Sequence, residues 1–288
     1  MNKRLFIVIP VFNGWPQTQK CLDSLQASDY DTIEVIIVDH GSTDETPASL
    51  PLLFPQVTHI IADSTLWWAG AVNVGVRYAL SKGARFIMLL NNDCTVEKDT
   101  ITRLMAYFHD PEKKVIAPIQ LDFQTERIVG GVADHCFLLG FPTLIFPWKT
   151  KLSRSSQKLM TTRLILGGRG VVIPSEVFQK AGIFDEHNLP HYGADHDFYL
   201  RVRQKGIPLY IAANAVVKVD STRTTSAHSV EKMDLRSFYQ TLTDKRSHKN
   251  VKYLTALFKK HYPFNKLYFL GVVFNLARYF SIFLIKKA

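Results

Sequence analysis

Three groups of polar side chains have the types and placement that chemistry would need. Asn91-Asn92-Asp93 directly follows the apolar run Phe86–Leu90, so two amides and a carboxylate sit at the C-terminal end of what reads as a buried strand. Ligands of open α/β sheets bind at that end of the strands. Val38-Asp39-His40-Gly41-Ser42 repeats the arrangement one βα unit earlier, and Asp195 and Asp197 add a third acidic cluster much later. Asn and Asp are common turn formers, and any one of these groups alone would read as a polar turn. Together they point to a bound cation and a phosphorylated ligand, because hard divalent cations take oxygen ligands and sit among phosphates.

The elements that must position these residues are visible as alternating patterns. Residues 5–9, 34–38, 57–61 and 86–90 are short apolar runs that read as strands. Between them lie helical patterns. One follows Asn13, whose side chain is expected to cap it, and carries Cys21, Leu22 and Leu25 on one face. A second opens with Thr43-Asp44-Glu45-Thr46, where acids suit the helix dipole, and a third covers 69–81 and stops at Gly83. A fourth is expected over 99–108. This βα rhythm predicts an α/β fold, a Rossmann-like, mostly parallel sheet with helices on both faces. The rhythm breaks after about residue 110. Residues 115–162 predict short strands and a mobile loop around 149–158. Two more helices are expected, over 174–181 with proline in first position and over 195–204 with Gly206 as its stop.

Length and composition bound the rest. A chain of 288 residues holds one large domain with an appendage, or two small domains, and 47% hydrophobic residues suit a substantial core. Cys21, Cys94 and Cys136 are scattered and odd in number, which argues against a disulfide framework or zinc knuckle. The basic and apolar start of the chain imitates a signal peptide, but Pro10 and Asn13 cut it short, so it reads as a first strand. The net charge of +10 is concentrated: residues 231–288 hold twelve Lys/Arg against three acids. These cations alternate with aromatic and leucine side chains, a pattern that suits an anionic membrane surface better than nucleic acid, which is not expected as a partner. Residues 267–285 are nearly long enough to cross a bilayer, but Asn275 and Arg278 fall near the middle, and a central Arg costs roughly 2.5–3.5 kcal/mol on insertion scales. A helix lying in the interface is the preferred reading, with a terminal helix packed onto the main domain as the alternative.

Ile9-Pro10-Val11-Phe12-Asn13, Val38-Asp39-His40-Gly41-Ser42-Thr43-Asp44, Trp67-Trp68-Ala69-Gly70-Ala71-Val72-Asn73-Val74-Gly75, Leu90-Asn91-Asn92-Asp93, Gly167-Gly168-Arg169-Gly170, Gly182-Ile183-Phe184-Asp185 and Gly193-Ala194-Asp195-His196-Asp197 with Arg201 follow one another in an order that resembles family-2 glycosyltransferases of the GT-A fold, especially bacterial enzymes of polysaccharide assembly. The likeness covers roughly residues 4–225. It implies an inverting, metal-dependent hexosyl- or deoxyhexosyltransferase, with a nucleotide-binding half over 1–110 and an acceptor half over 111–230; beyond it, the charge and aromatic pattern reads as a basic helical tail over 231–288. Its donor would be a nucleotide-sugar and its acceptor lipid-linked or a glycan, met at the cytoplasmic face of the membrane. By the same resemblance Asp39 would bond the nucleobase in a pocket lined by Pro10, Phe12 and Asn13, with Gly41 and Asn73 in the nucleotide-sugar site. Asp93 would bind a divalent cation, Mg²⁺ or Mn²⁺, that bridges the phosphates, and Asn92 would face the ribose or the metal's waters. Asp195 would be the catalytic base, as displacement at an anomeric carbon requires.

The chain departs from the family at Ala194, where Glu is usual, and at Asn91, where the metal motif usually begins with Asp. No His follows the base in Val216-Val217-Lys218-Val219-Asp220, and His228 is distant. Asp197 reads either as a helix-opening charge or as part of the acceptor site. Trp67 and Trp68 read equally as core or as sugar-facing rings. Arg169, among glycines, suits a phosphate or acceptor contact, and Arg201 suits a structural partner of a buried acid. Two rival functions are a sugar nucleotidyltransferase and a degenerate, non-catalytic relative. The first would want a glycine-rich cationic loop after strand one, which Val11-Phe12-Asn13-Gly14-Trp15 is not. Ala194 and Asn91 are what sustain the second.

Overall fold

Strand β1 (Leu5–Val11) is buried at all seven positions because both of its faces are covered. Its alternate residues Leu5, Ile7, Ile9 and Val11 pack with helices α1 (Trp15–Gln26) and α2 (Thr46–Leu53), while Phe6 and Val8 pack with α3 (Trp67–Ser81). Two-sided burial is why such a strand reads as a continuous apolar run and not as an alternating one. β1 pairs in parallel with β2 (Ile33–Asp39) and β4 (Phe86–Leu90), and β2 with β3 (Thr58–Ile61). Val11 stands opposite Asp39, so the carboxyl ends of these strands open on one edge of the sheet. The computed structural model describes residues 3–109, 113–153, 155–220 and 233–286.

The second half turns the sheet from parallel to mixed. After β5 (Cys94–Val96) and α4 (Thr100–Met105) come β6 (Val115–Asp122), β7 (Ile128–Gly130), β8 (Ala133–Cys136), β9 (Phe141–Ile145), β10 (Leu159–Thr162), β11 (Arg169–Pro174), α5 (Ser175–Ala181), α6 (Ala194–Gln204) and β12 (Leu209–Val219). The strand order is β10-β12-β6-β11-β4-β1-β2-β3, with β8 and β9 as a separate pair. β11 is antiparallel to both neighbours, whereas β12 and β6 are parallel. Antiparallel neighbours need no helical crossover, which is why the βα rhythm is lost here. Residues 150–153 and 155–158 are irregular but tied to β12, Ser153 N–H donating to Ala213 O and Ala213 N–H to Lys158 O. α4 is shorter than its pattern predicts, and Pro174 closes β11 in extended geometry, so α5 begins after it.

The C-terminal segment is built into the body of the protein. Its helices are α7 (Leu235–Thr243), capped by Asp234, α8 (Val251–His261), capped by Asn250, and α9 (Tyr268–Ile285). Leu254, Leu257 and the fully buried Phe258 of α8 join the core formed by α3, α5 and α6. α9 can lie against α8 because residue 271 is glycine: a Cβ there would come 2.5 Å from the Phe258 ring. Phe238 of α7 packs with Tyr279 and Phe283 in a small separate cluster. The boundary expected at residue 230 and the distant His228 lie outside the described residues.

Candidate active site

At the carboxyl ends of β1 and β2 two loops interlock through backbone N–H groups. Asn13 is left-handed (φ 58) and does not cap α1. Its Oδ1 instead accepts from Thr43 N–H (2.7 Å) and Asp44 N–H (3.3 Å), across the cleft between β1 and β2. Asp44 returns the favour, its Oδ2 accepting from Gly14 N–H (2.6 Å) and Trp15 N–H (3.0 Å) at the start of α1. Burial works against charge on Asp44, yet these bonds and those with Thr46 hold its pKa below the ordinary value. Asp44 therefore precedes α2 and serves α1. Asp39, buried at the end of β2, accepts from Ser42 N–H (2.8 Å) and lies 3.7 Å from His59 Nε2. Gly41 has φ 96, and a Cβ there would meet Ser64 at 2.8 Å. The half-exposed Phe12 ring stacks on His40 at 5.4 Å, a flat aromatic wall beside Asp39.

The Asn91-Asn92-Asp93 turn is divided among three duties. Asn91 Oδ1 accepts from the Trp68 indole N–H (3.0 Å), and Asn92 Nδ2 donates to Thr18 Oγ1 (3.0 Å) and Asn13 O (3.4 Å). The amide nitrogen of Asn92 thus braces the first loop. Asp93 carries the charge, its carboxyl pushed up by burial against the pull of Arg169. A second carboxylate stands near it. β12 pairs with β5, and Asp220 N–H donates to Asp93 O (2.8 Å), close enough that its charge also raises the Asp93 pKa. Arg169 itself donates to Gln120 Oε1 (3.2 Å).

Two residues before Arg169, Gly167 N–H donates to Asp195 Oδ2 (2.7 Å). Asp195 Oδ1 lies 2.8 Å from His196 Nδ1, and His196 Nε2 lies 2.5 Å from Thr143 Oγ1 on β9. Burial opposes charge on both partners, but each prevails for the other: the Asp195 pKa falls to about 2 and that of His196 rises. Arg169 pairs opposite Leu90, immediately before the Asn91 turn. One strand entry therefore joins the 93 cluster to Asp195.

Residues 6–174 match the profile of Glycosyl transferase family 2, more than half of the chain. The chain belongs to this family. Among its relatives, a dTDP-rhamnosyl transferase, RfbF of Shigella flexneri, is 23% identical over 219 residues, covering 73% of this chain and 67% of that protein. An uncharacterized glycosyltransferase of Rickettsia prowazekii is 26% identical over 195 residues, 68% of this chain but only 57% of that protein's length. In fold the glycosyltransferase is similar to Staphylococcus aureus TarS 1–349 (TM-score 0.58, 14% identity, 96% of this chain and 72% of that one). It is also similar to GalNAc-T7, solved with UDP, GalNAc and Mn²⁺ (TM-score 0.62, 14% identity, 90% and 52%). The fold is the GT-A fold.

Several expected site residues are also engaged within the fold itself. Asn73 is fully buried, with its amide spent on the Phe184 backbone in both directions and on Glu186, so it shapes the 184–186 turn. Asp197 is also fully buried. It accepts from Arg201 Nε (2.9 Å) and Lys260 Nζ (3.2 Å) and lies 2.9 Å from His261 Nε2. These partners outweigh burial and bring its pKa to about 2. It clasps α6 to α8. Trp68 packs edge-on to Phe184 and anchors Asn91, and Gly168 makes room for it, since a Cβ would fall 2.9 Å from the indole. Trp67 lies near His191 and under Lys245, so the C-terminal segment reaches the site. Burial holds the His191 pKa down, at about 4.

Ser42, Asp44, Asp220, Thr143 and His196 were not singled out as site residues from sequence. Ser42 and Asp44 carried a signal as members of the Val38–Asp44 motif, and His196 as a member of the Gly193–Asp197 motif; Asp220 and Thr143 carried none. Among the described residues no three His, Cys, Asp or Glu side chains form a metal cluster. Asp93 and Asp220 supply two carboxylates, a donor set that suits a cation shared with a diphosphate, since Mg²⁺ is commonly held by one or two carboxylates plus phosphate oxygens.

Proposed function

We propose that this glycosyltransferase inverts the anomeric centre of a hexosyl or deoxyhexosyl donor, moving the sugar from a nucleoside diphosphate to a hydroxyl of a lipid-linked or glycan acceptor. The reaction would serve cell-surface glycan synthesis at the cytoplasmic face of the membrane. The observation that carries this reading is the shared strand entry, in which Asp195 is tied to Gly167 two residues from Arg169, opposite the end of β4. It supports a base and a diphosphate site within one sugar's reach.

Each residue has a role in that reading. Asp39 holds the nucleobase, beside the Phe12–His40 wall. Asp93 and Asp220 would hold a divalent cation, Mg²⁺ or Mn²⁺, whose charge would offset the negative charge developing on the departing diphosphate. Arg169 adds a fixed positive charge beside Asp93. Asp195 takes the acceptor's hydroxyl proton as that oxygen bonds to the anomeric carbon, and the bond to the diphosphate breaks with its electron pair leaving on phosphate oxygen. His196 and Thr143 keep the carboxylate oriented and ionised.

The likeness to RfbF makes dTDP-rhamnose the first donor to test, and TarS, solved with UDP and with UDP-GlcNAc, makes UDP-sugars the second. Nucleotide-sugars would be screened for hydrolysis and thermal stabilisation, each with and without Mn²⁺ or Mg²⁺. One donor class should stabilise the protein in a metal-dependent way and be turned over. Stabilisation without turnover across every acceptor extract would favour the non-catalytic relative that Ala194 and Asn91 sustain.

A further inference from the structure

One face of α9 is turned away from the protein and is apolar. Gly271, Val272, Asn275, Tyr279 and Phe283 are buried, at the spacing that places side chains on one helix face. Phe269, Val273, Phe274, Phe280, Leu284 and Ile285 are exposed. The two residues that seemed to interrupt this helix point inward. Asn275 Nδ2 and Arg278 Nη2 both donate to Gly140 O at 2.8 Å, and the Arg278 guanidinium lies 3.6 Å from the centroid of the Phe141 ring. The groups that would oppose contact with lipid are therefore spent on the β8–β9 hairpin. No acid occurs in α9 or anywhere after Asp244.

The hairpin extends the apolar surface. Gly140 has φ 74, and a Cβ there would fall 2.6 Å from Asn275 N and 2.8 Å from Gly271 O, so its turn abuts the helix backbone. Leu138 and Leu139 in that turn are 45% and 57% exposed. Exposed Lys266 and Lys286 bracket α9.

We infer that the outer face of α9 and the adjoining Leu138-Leu139 turn dock on an anionic lipid bilayer, with the helix lying in the interface. Charge selects this occupant, because the segment from residue 231 carries a net +9 and its final helix has apolar side chains between cationic ends. Crossing the bilayer is disfavoured by the same contacts, since it would strip Asn275 and Arg278 from Gly140. The surface also leads to the site: the hairpin that α9 holds carries Thr143, the neighbour of His196 and Asp195. The inference deepens the membrane-borne acceptor reading and rests on it for its purpose, while its evidence is independent.

The test uses the full chain and vesicles of equal parts phosphatidylglycerol and phosphatidylcholine, compared with phosphatidylcholine alone. The protein should sediment with the anionic vesicles and much less with the neutral ones. Joint Leu139→Ser, Phe269→Ser and Val273→Ser changes should weaken partition by at least about tenfold, with thermal stabilisation by UDP, dTDP or GDP the same as in the parent. A full chain that ignores anionic vesicles would overturn the surface, whatever the variant does. So would unchanged partition of the variant, a dimer that the variant converts to monomer without any vesicle binding, or carbonate-resistant membrane insertion. Vesicle binding by a protein that binds no nucleotide would uphold the surface and remove the transferase reading, so the two can fail separately.

Discussion

The β1–β2 edge, proposed as the donor edge, and the α6 side, proposed as the acceptor side, satisfy their carboxylates by different means. On the donor edge Asp39 accepts from Ser42 N–H, and Asp44 accepts from Gly14 and Trp15 N–H. On the acceptor side the partners are largely side chains: the adjacent His196, backed by Thr143 of β9, beside the Gly167 N–H for Asp195, and Arg201 of the same helix with Lys260 and His261 of α8 for Asp197. A carboxylate held by backbone N–H groups needs only a correctly shaped loop. One held by side chains, some of them on another helix, depends on the packing between elements, and each partner lost leaves a buried charge less compensated. The donor edge should therefore respond to mutation locally and the acceptor side globally.

The sharpest way to break this comparison is to remove charge from the two carboxylates of α6. Asp195→Asn should reduce turnover by roughly 10²–10⁴-fold, the usual contribution of general-base catalysis, with nucleotide affinity unchanged. Loss of turnover in Asp197→Asn with Asp195→Asn spared would reverse the assignment. Asp197→Ala should instead destabilise the fold by about 3–5 kcal/mol, the cost of breaking a buried pair. That deficit should depend on pH. The folded pKa of Asp197, about 2, lies below the unfolded value near 3.9, so its carboxylate stabilises the fold at neutral pH and loses that contribution as pH falls from about 4 to about 2. Denaturation of both proteins across this range should show the two curves converging in acid.

Between the extremes stands the 93 cluster, which mixes local and remote contacts. Asp93→Ala should abolish metal-dependent nucleotide binding without unfolding the protein, as calorimetry with a nucleoside diphosphate and Mn²⁺ would show. Asp220→Asn should weaken that binding by roughly 10–100-fold, in the range of metal-supporting residues. Unchanged affinity in both would dismiss the pair as cation ligands.

The same contrast explains what could be read from sequence. β1, β2 and β4 were visible because strands buried on both faces are apolar runs, and the motif residues at their ends are contiguous in the chain. Asp44 stood inside a recognisable motif, yet its true partner, the start of α1, required knowing that two loops interlock. Asp220 carries no signal of its own in the sequence, because its approach to Asp93 depends on β12 pairing with β5. The tail looked separable because Phe258 and Gly271 reveal their contact only in three dimensions. Arg278 counts in the sequence against a bilayer-spanning helix, and its contact with the hairpin at Gly140 shows only in three dimensions.

The smallest effect is the one that sharpens the comparison most. Asp44 is exposed on the surface of its loop, yet it receives two backbone N–H groups of the neighbouring loop and start of α1. Asp44→Ala should therefore cost about 1 kcal/mol, the typical loss of a helix-capping side chain. Because Asn13 reciprocates by accepting from Thr43 and Asp44 N–H, the loss should be felt where the loops meet Asp39. Nucleotide affinity should fall several-fold, with turnover at saturating donor close to that of the parent. A KM-type defect from a residue remote from the acceptor side would confirm that the donor edge is a local construction. Reduced turnover at saturation, or acid sensitivity like that expected for Asp197, would show the two sides to be coupled and would end the distinction between them.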